Sequence, residues 1–108
     1  MKQINMLEDR KELIELCMEI RGYVEQNKYI ECESLIKNAM GKYPHSPEPH
    51  NLLGLLLEAQ GDHVTAMKHF RASYALDPAY FPARYNLECF GNFYPKGKWA
   101  YDESDLNS

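Results

Sequence analysis

Parts of this chain occur twice, 34 residues apart, and no other feature constrains its fold as much. Pro44 and Pro78 are related in this way, as are Asn27 and Gly61, Cys32 and Ala66, Ile36 and Phe70, and Ala39 and Ser73. Self-similarity at a period of ~20–50 residues marks arrays in which each unit buries its apolar face against the next. The sharper copy lies between His50 and Pro78, HNLLGLLLEAQGDHVTAMKHFRASYALDP. Two amphipathic helical patterns meet there at Gly61-Asp62, and Pro78 closes the second. Gly54 sits inside the first helix, where glycine costs ~1 kcal/mol against alanine and so asks for a packing reason. Two antiparallel helices approach closely only where a side chain is missing on one and small on the other. The sequence therefore predicts a close crossing at Gly54 and Ala66, with Phe70 filling the space beyond it.

Leu53-Gly54, Leu57, Ala66, Phe70 and Pro78 together resemble the tetratricopeptide (TPR) pattern of a large aromatic, Leu-Gly, Tyr, Ala, Phe and Pro, which recurs every ~34 residues. His50 stands where the family usually has Trp, and Leu57 where it usually has Tyr. The resemblance covers roughly residues 10–93 and is strong in 46–79. It implies an all-α fold: antiparallel helix hairpins stacked as a short right-handed solenoid of about five helices. Repeats would span about 13–46 and 47–80, with an extra helix at about 79–93. Residues 1–93 would then form one domain and 94–108 a C-terminal tail.

Local signals fill in the elements. From about Asp9, the apolar residues Leu13, Leu16, Cys17, Ile20, Tyr23 and Val24 recur at helical spacing. Gln26-Asn27-Lys28 breaks the pattern, and Asn27 suits the left-handed conformation at a helix C-terminus. A second helix carries Tyr29, Cys32, Leu35, Ile36, Ala39, Met40 and Tyr43 on one side and stops at Pro44. Ser46-Pro47-Glu48 reads as a capped helix start, and Asp62 can cap the fourth helix. Ile20 stands where Gly54 stands one repeat later, so the first pair of helices must sit further apart or shift register. Glu88 falls at the same place in a third copy, where a packed partner helix would bury a carboxylate at high cost. The third repeat is therefore expected to lack a normal second helix.

Eight of the chain's 13 aromatic residues lie from Tyr80 onward. A helical array needs its apolar end covered, and Trp99 and Tyr101 are the natural cover. Three arrangements stay open: the tail fills the groove, caps the last helix or docks on a second chain. Tyr80, Phe81, Phe90, Phe93, Tyr94 and Trp99 form the candidate contact for a homodimer, since large aromatic patches mark interaction surfaces. The final DESDLNS has nothing to bury and is expected to be partly disordered.

A net charge of −4 and a pI near 5.5 argue against nucleic acid as a partner, which requires a basic surface. No apolar run approaches the ~18–20 residues of a membrane helix, and the reading is of a cytoplasmic protein. Cys17, Cys32 and Cys89 form no zinc-ligand pattern, and His63 and His69 are not at the i, i+4 spacing of a metal pair. No phosphate loop, nucleophile elbow or catalytic triad order occurs. Neither a catalytic residue, a metal nor a cofactor is expected, and the chain reads as a non-enzyme.

The resemblance implies a different kind of site, a concave groove lined by the first helix of each repeat. Cys17, Asn51 and Tyr85 form one row of it, and Arg21, Leu55 and Cys89 the next. The family's clamp for carboxylate-terminal chaperone tails uses a lysine, two asparagines, a lysine and an arginine; this chain has Cys17, Arg21, Leu52, Pro82 and Asn86 at those places, so that ligand is not implied. The groove residues suit an extended or helical segment of another protein. Asn51 can serve a backbone amide, Tyr85 offers a stacking face, and Arg21 can take a carboxylate in two parallel bonds. The expected function is that of a small adaptor binding such a peptide or helix. The alternative is a self-assembling structural or regulatory subunit joined through its aromatic end.

Overall fold

The computed structural model describes residues 6–91 and 99–106. Five α-helices carry the described residues: α1 (Met6–Glu25), α2 (Tyr29–Lys42), α3 (Glu48–Ala59), α4 (His63–Leu76) and α5 (Phe81–Phe90), followed by a short 3-10 turn (Glu103–Leu106). No strand is present among them. Connections of three to five residues between successive helices leave each helix no choice but to pack beside the one before it. Among the described residues no helix is long and apolar enough to cross a membrane.

The internal repeat extends to individual backbone hydrogen bonds. At the α1–α2 turn, Lys28 N–H donates to Tyr23 C=O at 2.8 Å and Asn27 N–H to Val24 C=O at 3.0 Å. At the α3–α4 turn, Asp62 donates to Leu57 at 2.9 Å and Gly61 to Glu58 at 3.1 Å. Both turns place one residue in the left-handed region, Asn27 at φ 59° and Gly61 at φ 86°. The six-to-one bond with a left-handed residue before it is the geometry that satisfies helix-end carbonyls. The exits of α2 and α4 match as well: Tyr43 N–H bonds Ala39 C=O, and Asp77 bonds Ser73.

Helix starts follow the sequence unevenly. Asp62 caps α4 as expected, its carboxylate accepting from Thr65 N–H at 3.2 Å. Ser46 does not cap α3. That helix begins one residue later than the Ser-Pro-Glu signal implies, with Pro47 at the N-cap position, no side-chain cap and Pro49 in the first turn. The last helix is shorter than the expected 79–93: Pro82 lies in its first turn and it ends at Phe90, with Gly91 at the C-cap.

The core is a single cluster built from α1 to α5. Ile20, Cys32, Ile36, Leu52, Leu55, Leu56, Ala66 and Phe70 are wholly buried in it, each large apolar side chain contributing on the order of 1.5–3 kcal/mol. Helices α3 and α4 share the most extensive contact of any pair, far more than α1 and α2. The atoms nearest to a side chain at Gly54 would be those of the Phe70 ring. A Cβ added there would fall 2.9 Å from Phe70 Cζ and closer to two other ring atoms. The missing side chain makes room for the aromatic ring, and Ala66 is buried beside it.

Candidate functional site

Three helices converge on the C-terminal tail. Arg21 lies in the last turns of α1, Asn51 near the start of α3, and Asn86 in the middle of α5. Asn51 and Asn86 are both wholly buried, and so is Ala100, which lies between them. Asn51 Nδ2 donates to the Ala100 carbonyl at 3.0 Å, and Asn86 Nδ2 donates to the same oxygen at 2.8 Å. Asn86 Oδ1 accepts from Ala100 N–H at 3.1 Å, and its second amide hydrogen goes to Asn51 Oδ1 at 2.9 Å. The Asn86 side chain thus pairs with the Ala100 backbone in both directions, as one strand pairs with another. Each of these bonds contributes ~0.5–1.5 kcal/mol net, whereas a buried amide left without a partner costs ~1–3 kcal/mol. These two asparagines require an occupant.

Side chains on either side of Ala100 fix the register. Trp99 meets the ring of Phe90 edge-on at 5.5 Å, and Phe90 in turn stacks on Phe70 at 5.6 Å. Tyr101 is buried, with the Arg21 guanidinium 5.3 Å from its ring centroid. Arg21 Nη2 also donates to Asp105 Oδ1. The other oxygen of Asp105 accepts from the backbone N–H of Tyr101 at 2.9 Å and of Asp102 at 3.1 Å. Asp105 thereby shapes the tail and ties it to α1. Burial, with Glu25 adding to it and Arg21 opposing, pushes the Tyr101 phenol up to about 12. Burial also pushes the Cys17 thiol up, with the carboxylates of Glu48 and Asp102 adding to it. Cys17 is wholly buried in the core cluster.

The expected groove residues separate into three groups. Arg21 and Asn51 meet on the tail. Cys17 and Leu55 are wholly buried in the cluster that contains Tyr101, and with the tail in place they present no surface to a partner. Tyr85 and Cys89 are half-buried on α5. Arg21 does not hold a carboxylate in two parallel bonds, because the second oxygen of Asp105 is committed to the tail's own backbone. Asn86 is the residue that sequence reasoning passed over. Its signal was an asparagine at a clamp position, one place after Tyr85.

The aromatic residues expected at an oligomer contact are mostly internal. Tyr80 and Phe90 are buried, Trp99 is half-buried, and Phe81 remains exposed; Phe93 and Tyr94 lie outside the described residues. The acidic end does have something to bury, contrary to expectation: Asp102 is 8% exposed and accepts from Ser104 N–H at 2.9 Å. The reason is Arg21, whose guanidinium gives this end a partner. Glu88 sits on an exposed face beside Arg84 at 3.3 Å, and among the described residues after α5 only the 3-10 turn follows.

Two histidines also meet. His50 and His69 stack at 5.4 Å between centroids, with Nδ1 atoms 3.1 Å apart, and burial lowers both from their ordinary value. Among the described residues no three His, Cys, Asp or Glu side chains converge as a metal site. In comparison with known proteins, the chain matches no family model, no curated protein and no solved structure.

Proposed function

We propose that this protein is a protein-interaction module of TPR-like design, acting in the cytoplasm, whose groove holds an extended polypeptide by its backbone. In the resting state that polypeptide is its own tail. The supporting observation is that Asn51 and Asn86, both wholly buried, place their amides on the main chain of Ala100. An apolar plug would close the array without orienting two buried amides. Amides directed at a backbone accept any chain that presents a peptide unit with a small residue at that point. The flanking contacts then select an aromatic on each side and an acid a few residues on. A partner segment of that kind exchanges with the tail, and the tail serves as an internal competitor.

A tethered competitor acts at an effective concentration on the order of mM, so a free peptide binds the intact protein weakly. The test uses a labelled peptide of residues 98–108 and fluorescence anisotropy. Trp99→Ala/Tyr101→Ala, which weakens the protein's own tail, should bind the peptide more tightly than wild type does. Adding Asn86→Leu to that variant should abolish binding. If the folded Trp99→Ala/Tyr101→Ala protein takes up no peptide, the groove does not exchange its occupant and the tail is only a structural cap.

A further inference from the structure

The docked tail also lines a second feature. A cavity of about 760 Å³ lies between the N-terminal half of α1, the α2–α3 and α4–α5 connections and the 3-10 turn. Its acidic residues are Asp9, Glu48, Asp77, Asp102 and Glu103, against the single guanidinium of Arg10. Leu13, Ile14 and Leu76 supply apolar wall. Three polar atoms of this lining are buried with no hydrogen-bond partner, Glu48 Oε1 and the hydroxyls of Tyr43 and Tyr80. Tyr80 is only 6% exposed, and the thiol of Cys17 lies beside it. Buried polar atoms without partners are rare in folded proteins, and each calls for an explanation such as a bound group.

The apolar wall continues out of the cavity along α1. Leu7, Ile14 and Met18 are 82%, 46% and 61% exposed, and their spacing places them on one stripe of the helix. A stripe of this kind beside a cavity with excess negative charge is complementary to one class of partner. We infer that this face docks an amphipathic helix of another protein, its apolar side on Leu7, Ile14 and Met18 and a lysine or arginine inserted among Glu48, Asp77, Asp102 and Glu103. The stripe favours a protein over a free amine, which would leave it uncovered. The site requires the docked tail, because Asp102, Glu103 and Ser104 form one wall. It holds whether or not the groove accepts a foreign peptide.

The test uses the full chain and a labelled, helix-forming 14-residue peptide with leucine on one face and lysine beside it. Controls are a twin with every lysine changed to glutamate, a scrambled peptide of equal composition, and spermidine. Binding is expected for the first peptide, with at least about tenfold weaker binding by the scrambled one, whose leucines no longer share one helix face. Asp9→Lys, Glu103→Lys and Ile14→Ser should each weaken it by about tenfold. Glu31→Lys, which makes the same charge change outside the cavity, should leave it unchanged. Melting curves check that each variant is folded. Equal binding by the glutamate twin or the scrambled peptide overturns the proposal. So does full displacement by spermidine at matched charge, or wild-type affinity in Asp9→Lys and Ile14→Ser.

Discussion

The two helical hairpins share a backbone but fill it differently. In α3–α4, Gly54 gives up its side chain so that Phe70 can lie against the helix. In α1–α2, the residues 34 positions earlier are Ile20 and Ile36, both wholly buried. One pair is nothing plus a large ring; the other is two mid-sized aliphatic chains. Cys32, the counterpart of Ala66, brings its sulfur to 4.0 Å from the Ile20 carbonyl, so α2 still approaches the α1 backbone through a small residue. The His50–His69 stack has Leu16 and Leu35 as its counterparts, both packed on the core. The turns and exits keep the same hydrogen bonds throughout. The repeat is therefore a specification of backbone and total volume, and the division of that volume between facing helices is free. The pair with two branched chains, α1 and α2, also shares the smaller contact.

If the two volume divisions are equivalent solutions, they can be exchanged. Gly54→Ile alone overpacks the Phe70 contact and should destabilise by ~3 kcal/mol, the upper end for such changes. At roughly 4–8 °C per kcal/mol for a domain of this size, a thermal melt will resolve it. Phe70→Ile added to Gly54→Ile recreates the first hairpin's pair and should recover much of the loss, with a coupling of ~0.5–3 kcal/mol. Strictly additive effects would mean that the two pairs are not alternative fillings of one space.

The tail grips the two hairpins by different chemistry. Asn51→Ala removes one donor from the Ala100 carbonyl and the acceptor of Asn86, and should cost ~1–3 kcal/mol. Arg21→Ala removes an ion pair whose guanidinium is about a third exposed and should cost under about 1 kcal/mol. Trp99 is the single tryptophan of the chain, so its emission during denaturant titration reads both. A larger loss for Arg21→Ala would place the tail's main attachment on α1.

A smaller effect separates the histidine and leucine pairs. Burial lowers His50 and His69 below their ordinary 6.5, with His50 adding to the shift of His69. The folded state then holds fewer protons than the unfolded chain, so this stabilisation is present above pH 6.5 and is lost as pH falls towards the folded values. His50→Leu/His69→Leu should flatten the melting temperature between about pH 7.5 and about pH 5.5, the range in which histidine titrates. An unchanged slope in the double variant would assign the pH dependence elsewhere. The smallest difference lies in the turns. Asn27→Gly should gain under about 1 kcal/mol and Gly61→Asn lose a similar amount, since only glycine enters the left-handed region without cost. Equal signs in the two melts would show that the turns are not equivalent.

The helices, the left-handed residue at position 27, the Asp62 cap and the unusual role of Gly54 were all legible in the sequence, because each is set by residues close in the chain or by the 34-residue register. The depth to which Phe70 enters was less legible, since only the packed structure shows its ring pressed against Gly54 itself. The groove was half legible. Arg21 and Asn51 both contact the tail, but Asn86, which repeats the position of the buried Leu52, was not among the expected groove residues. The destination of the tail was beyond local reading. Ala100 carries no pattern of its own, and its burial depends on two amides brought together from α3 and α5. The His50–His69 contact was missed for the same reason: nothing in their spacing of nineteen residues marks them as neighbours.

Arg21 and Asp105 are separated by 84 positions in the chain, and this bears on how the molecule comes apart. Arrays whose units touch only their neighbours can fray from either end and propagate structure from any starting point. Here the tail runs from the first helix past the third to the last, and it ties the ends of the helical domain together. No end helix can leave without also releasing the tail, so melting is expected as one concerted event. On the way in, the order reverses. A contact of such long range must wait for the loop between its ends to be brought together, and the receiving amides do not exist as a pair until α3 and α5 have packed. Seating of Trp99 is therefore expected to follow the packing of α3 against α5 in folding, and to be lost together with the end helices in melting.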